Sequence, residues 1–256
     1  MTENKHKASK PNKNLYAGDE KSDLSQQYVR PRDAATLIIV QENKKQAPRI
    51  LMGKRSAGHK FMPNKFVFPG GRVDPGDSRV KLGTELHPSV LAKLQKEVTS
   101  KTTPLRLRAL ALAAIRETYE ETGLIIGSQA SQHHQSQNAS WRDYLQHGVV
   151  PPLEAVHFIA RAVTPTFRVR RFDTRFFMVD AKYLHNDPED LTGASGELTD
   201  LHWLTLDKAY DLDLPIITKQ VLQIVEKRLE HGENKRHALS VPYFRFRNGK
   251  SELVDL

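Results

Sequence analysis

With 256 residues, 38% of them hydrophobic, the chain can build one sizeable core with appendages. It contains no cysteine, which excludes a disulfide framework, a thiolate metal site and a thiol nucleophile. The formal net charge is +9, and residues 1–32 hold seven Lys/Arg against four Asp/Glu, so part of the excess lies in the body of the chain and suits an anionic ligand such as a nucleotide, a coenzyme or a nucleic acid.

Residues 1–29 are rich in Lys, Asn, Ser and Asp and lack apolar periodicity, so they are expected to form a flexible basic arm. The start of the chain shows no apolar signal core. No apolar run nears the ~20 residues of a membrane helix, so the expectation is a soluble, cytoplasmic protein without membrane partners. One domain is expected over residues 30–232. It opens with two buried strands, Ala35 to Val40 and Arg49 to Lys54, joined by a loop containing Asn43 and Pro48. A short strand, Phe66 to Phe68, runs into Pro69-Gly70-Gly71, where paired glycines admit backbone angles closed to other residues.

Residues 78–102 read as a polar insertion carrying one amphipathic helix, Pro88 to Val98, and are expected to sit outside the central layers and shape the mouth of a binding site. The next helix is better marked: Thr103 can cap it, Pro104 suits its first turn and Gly123 can close it, giving Pro104 to Thr122. Gly127 to Ala139 reads as loop, Trp141 to His147 as a short helix. Strands follow over Ala155 to Thr164, Thr174 to Val179 and Leu198 to Thr205, with Trp203 as a core anchor, and a last helix from Pro215 to Glu230. Residues 233–256 are expected to form an extension packed on or near the domain. Strands on both sides of the central helix imply an α/β fold with a mixed sheet between helical layers.

The chemistry concentrates in Arg116-Glu117-Thr118-Tyr119-Glu120-Glu121-Thr122-Gly123. In a helix, Glu117, Glu120 and Glu121 stand at i, i+3 and i+4 and their carboxylates share one face. Three adjacent anions repel one another, and a divalent cation with a preference for oxygen ligands, Mg²⁺ or Mn²⁺, sustains such a cluster most naturally. Arg116, four residues before Glu120, can hold one carboxylate by a charge-assisted hydrogen bond.

This segment resembles the Nudix box, G-x5-E-x7-R-E-U-x-E-E-x-G-U with U apolar. Gly71 matches the first glycine, Asp77 stands at the first Glu, and Arg116 to Leu124 match the second half. Asp77 shortens the reach of the acid, Thr118 replaces an apolar residue, and the seven-residue spacer becomes Ser78 to Ile115. The long insertion, together with Phe61-Met62-Pro63, Phe68 to Asp74 and Arg171 to Thr174, is similar to the acyl-coenzyme A diphosphatase-like branch of the Nudix hydrolases. The resemblance implies an α/β/α sandwich in which Gly70, Gly71 and the acidic helix hold Mg²⁺ or Mn²⁺ against a diphosphate. It implies hydrolysis of a nucleoside diphosphate linked to another group, most naturally coenzyme A or an acyl-coenzyme A.

Metal ligands are then expected at Glu117, Glu120 and Glu121. Asp77 either contributes through water or fixes the loop. Glu197, before the strand that holds Trp203, is a candidate general base or an ordinary loop acid. Arg168 and Arg170 would share a face if extended and could meet phosphates, whereas Arg171 with Asp173 nearby can form an internal ion pair. Two other readings compete: an ADP-sugar or dinucleotide pyrophosphatase, and a non-catalytic ligand sensor or RNA-binding module. No recognition helix or interleaved basic and aromatic motif marks a specific nucleic-acid partner.

Overall fold

The computed structural model describes residues 29–43, 45–58, 62–80, 83–247 and 250–256. Residues 1–28, which hold nearly all of the expected arm, and Phe61 of the Phe-Met-Pro motif lie outside the described residues.

The first strands are β1 (Arg32–Asn43), β2 (Gln46–Arg55), β3 (Phe66–Val67) and β4 (Gly70–Arg72), followed by helices α1 (Pro88–Leu94) and α2 (Pro104–Thr122). A two-residue strand β5 (Ser128–Gln129) interrupts the expected loop and pairs with β6 (Val149–Val150) across helix α3 (Ala139–Leu145). Then come β7 (His157–Val163), β8 (Phe172–Asp180), β9 (Leu198–Thr205), α4 (Leu206–Tyr210), α5 (Ile216–Leu229), α6 (Glu233–Arg236), β10 (Pro242–Arg247) and β11 (Lys250–Asp255).

Nine strands form one mixed sheet in the order β11-β10-β7-β8-β1-β2-β3, with β4 on β1 and β9 on β2. The β1–β8 and β10–β7 pairs are parallel, and the other pairs are antiparallel. The period of two along β1 assigns its side chains to the two layers: Ala35, Leu37 and Ile39 join the core under α1, α2 and α3, while Ile38 and Val40 join the core under α4 and α5. The expected α/β/α sandwich with a mixed sheet is therefore observed.

Helix α2 is the central element. Its Thr103 side chain accepts from Arg106 N at 3.3 Å, and Gly123, at φ +74°, closes it with an N–H to the Tyr119 carbonyl. From Leu107 to Arg116 every residue is buried, and alanines at 109, 111, 113 and 114 let the helix lie close to the sheet.

The insertion departs from expectation. Val80, Leu86, Val90 and Leu94 are buried in the α2-side core, and the Arg108 guanidinium donates to the Val80 carbonyl and pairs with Glu85 at 3.2 Å. Four apolar residues spread over fifteen positions look polar as a composition, yet each is buried in the core that α2 covers. Residues 233–256 add β10 and β11 to the sheet edge, with Tyr243 opposite Arg161 and Phe244 opposite Ala162. The Lys93 ammonium fastens this segment to α1 through the carbonyls of His237 and Leu239, both at 2.6 Å.

Candidate active site

The glycine turn and the C-terminal half of α2 meet at the end of β1. Gly70 has φ +153°, and a Cβ there would lie 2.5 Å from the Ala35 carbonyl oxygen. A Cβ on Gly71 would lie 2.3 Å from Glu117 Oε2, so only glycine lets the carboxylate rest on the turn. The Gly70 N–H donates to Glu121 Oε2 at 2.8 Å. Glu121 is buried, Glu117 is mostly buried and Glu120 keeps a third of its side chain in solvent.

Arg116 organises the acids. Its Nη1 donates to Glu117 Oε1 at 2.9 Å and to Glu120 Oε2 at 2.8 Å, and its Nη2 to the Arg72 carbonyl at 2.9 Å. Burial alone would lower its pKa, but the hydrogen bond and charge of Asp77, with Glu117 and Glu120, outweigh burial and raise it above the ordinary guanidinium range.

Asp77 is fully buried and its four acceptor positions are all taken. Oδ1 accepts from Arg116 Nε and Trp141 Nε1, each at 2.8 Å, while Oδ2 accepts from Arg116 Nη2 at 3.1 Å and Asp74 N at 2.7 Å. A carboxylate offers about four lone-pair directions, so none remains for a metal or a metal-bound water. Of the two readings open for Asp77, the geometry selects the loop anchor and removes the metal ligand.

Burial raises Glu121 to about 8, against the opposing pull of the Gly70 N–H and Arg55, with Glu117 and Glu197 pushing further upward. Burial likewise raises Glu117 to about 6, despite Arg116. The charged form is thus disfavoured most at Glu121, while Glu117 keeps the Arg116 guanidinium as its counter-charge. Among the described residues no three His, Cys, Asp or Glu side chains converge on one point as a closed metal cage, because Glu117 and Glu120 turn to Arg116 and Glu121 to Gly70. The donor set still fits Mg²⁺ or Mn²⁺. Such hard cations take oxygen ligands, and Mg²⁺ in particular is usually held by one or two carboxylates, with waters and substrate phosphate oxygens completing its shell.

These acids face a cleft of about 810 Å³ that is also lined by Arg55, Arg170, Arg171 and Glu197. Glu197, an exposed acid on the loop before β9, thus shares the cleft with the α2 carboxylates. Arg55, at the end of β2, stands on the wall of this cleft; burial lowers its pKa while Glu121, Glu197 and Glu117 draw it upward. The expected shared face of Arg168 and Arg170 is not formed. A turn begins at Pro165, whose carbonyl accepts from Arg168 N at 3.2 Å, so the segment bends: Arg170 enters the cleft while Arg168 is buried beside Phe167 and lines a neighbouring pocket. Asp173 is taken by Arg161 at 2.7 Å and Arg175 at 3.0 Å, and Arg171 donates to the carbonyls of Thr164 and Val29.

The comparisons with known proteins agree with this geometry, although no family model matches the chain. It is 27% identical over 194 residues to a putative nudix hydrolase 7 of Caenorhabditis elegans, covering 70% of this chain and 54% of that protein. It is 26% identical over 219 residues to the acyl-coenzyme A diphosphatase NUDT19 of Xenopus laevis, covering 67% of this chain and 56% of that protein. The chain therefore spans about half the length of these curated relatives. A crystal structure of a NUDIX hydrolase from Alicyclobacillus acidocaldarius superposes with a TM-score of 0.56 at 25% identity, covering 77% of this chain and 92% of that one. In both sequence and fold the chain is therefore similar to Nudix hydrolases.

Proposed function

We propose that the protein is a divalent-cation-dependent hydrolase that cleaves the phosphoanhydride bond of coenzyme A or an acyl-coenzyme A to leave 3′,5′-ADP and a phosphopantetheine. The observation that carries this reading is the set of Glu117, Glu120 and Glu121, held by Arg116 and the Gly70 N–H at the wall of a cleft whose other walls bring Arg55 and Arg170. The similarity to an acyl-coenzyme A diphosphatase supports the substrate class.

Glu117, Glu120 and Glu121 would hold Mg²⁺ or Mn²⁺. When bound, the cation neutralises charge on the diphosphate and acidifies water. Arg116 fixes the rotamers of Glu117 and Glu120, so their charges are in place before substrate arrives. Glu197 is the cleft's candidate proton acceptor, and Arg170 the candidate donor to the phosphate on the ribose.

The test is a product-resolved hydrolysis panel of coenzyme A, its acyl esters, dephospho-coenzyme A, ADP-ribose and NADH, each with Mg²⁺ and Mn²⁺. Coenzyme A species are expected to give the highest kcat/KM, and loss of the ribose phosphate to weaken binding by about 1 to 3 kcal/mol. Preferential cleavage of ADP-ribose or NADH would move the substrate elsewhere and leave the carboxylate chemistry in place.

A further inference from the structure

A second pocket opens off the cleft on the same face of the sheet. It shares Thr36, Arg55, Phe172 and Thr174 with the cleft and then turns apolar among Val67, Phe68, Ala162 and Phe176, closed by Ile217 at the start of α5. The alternation of β1 and β8 produces it: Thr36 pairs with Phe176 and Ala34 with Thr174, so the floor of the cleft continues into the α5-side core.

The pocket begins close to the acids. A Cβ on Gly70 would lie 2.8 Å from Thr36 Oγ1, and the Gly70 N–H is the group bonded to Glu121. A group filling it must therefore be joined to the reacting phosphate through very few bonds. Its volume is about 130 Å³. An apolar cavity of ~150 Å³ takes one benzene, so this one admits a single ring or a compact branched group and is too small for a purine. Thr164, Arg168 and Thr218 also line its wall, but a hydroxylated sugar ring there would still press hydroxyls against Val67, Phe68 and Phe176, which is costly for those left without partners.

We propose that this pocket is the subsite for the branched, gem-dimethyl-bearing end of the phosphopantetheine half of coenzyme A, and that it selects this half over a sugar phosphate. The proposal rests on the coenzyme A reading above. In phosphopantetheine a quaternary carbon with two methyl groups follows the phosphate ester after one methylene, which matches both the apolar lining and the short reach. The next carbon bears a hydroxyl, and the mouth shared with the cleft offers the hydroxyls of Thr36 and Thr174.

Product inhibition of coenzyme A hydrolysis provides the test, using Ala162→Leu to fill the pocket and Ile217→Trp to narrow it from the α5 side should the first variant not fold. The Ki for phosphopantetheine is expected to rise ~10-fold or more relative to the Ki for 3′,5′-ADP, which lies on the other side of the anhydride. Equal shifts in the two Ki values, or none in either, overturn the pocket assignment while leaving the coenzyme A reading standing. A wild-type protein that does not cleave coenzyme A overturns that reading itself, and this subsite with it.

Discussion

Asp77 and Arg116, 39 residues apart in the chain, form a two-point ion pair at 2.8 and 3.1 Å inside the protein. The pair ties the loop after the glycine turn to the carboxylate helix, and Trp141 of α3 locks it from a third element. Asp77→Asn leaves the Arg116 charge buried with Glu117 and Glu120 alone. A loss of about 3 kcal/mol is expected, the lower end of the range for a broken buried pair because those two acids remain. Denaturant unfolding measures it. A metal-ligand role predicts the reverse pattern, stability held and cation affinity lost.

This pair also marks the limit of what local sequence can tell. The bounds of α2 were legible because Thr103, Pro104 and Gly123 act within a turn of themselves, and the convergence of Glu117, Glu120 and Glu121 follows from helical spacing alone. The saturation of Asp77 depends on Trp141, 64 residues away, and the placement of Arg55 in the cleft depends on the pairing of β2 with β3 and β9. Pro165 carried a readable turn signal that separates Arg168 from Arg170. The strands β10 and β11 had one too, since Phe244 to Arg247 alternates aromatic and basic residues and Asn248-Gly249 follows.

Leu94 tests the corrected view of the insertion. It is buried in the core beneath α2, while among the described residues none from 79–102 lines the cleft that holds the acids. Leu94→Ala is expected to cost about 2 to 5 kcal/mol of stability. The relative kcat/KM for coenzyme A and ADP-ribose should stay unchanged. A selectivity shift at constant stability would return the insertion to the substrate mouth.

Glu121→Gln separates charge from shape. A glutamine carbonyl can still accept the Gly70 N–H, and burial already disfavours the charged form of Glu121, so the fold should persist. Turnover should fall by at least ~10²-fold, because the charge meant for the cation is gone. Circular dichroism and thermal unfolding monitor the first expectation, steady-state kinetics the second. Wild-type turnover at saturating Mg²⁺ would remove Glu121 from the metal set.

The last prediction concerns acid stability and a stack of three histidines away from the cleft. His157 at the start of β7 lies 4.0 Å from His237, ring to ring, and His237 stacks on His87 at 4.2 Å. His157 Nδ1 is buried without a hydrogen-bond partner among the described residues. Burial first, then the charges of His237, Arg236, Arg228 and His87, lower His157 to about 3, and burial with His87 and Lys93 lowers His237 to about 4. The folded protein therefore holds His157 neutral at pH values where the unfolded chain, with an ordinary histidine pKa near ~6.5, already binds a proton. The sign follows: the unfolded state binds more protons, so this contribution is complete above ~6.5 and is lost as pH falls towards about 3. Within that window His157 alone removes up to ~1.4 kcal/mol per pH unit. His157→Phe keeps a ring of similar size in the stack and cannot take up the proton. Urea unfolding at pH 7.5, 6 and 5 should then show a shallower loss of stability in the variant than in the wild type. Identical slopes would mean that the histidine stack does not couple to folding and that carboxylates alone set the acid limit.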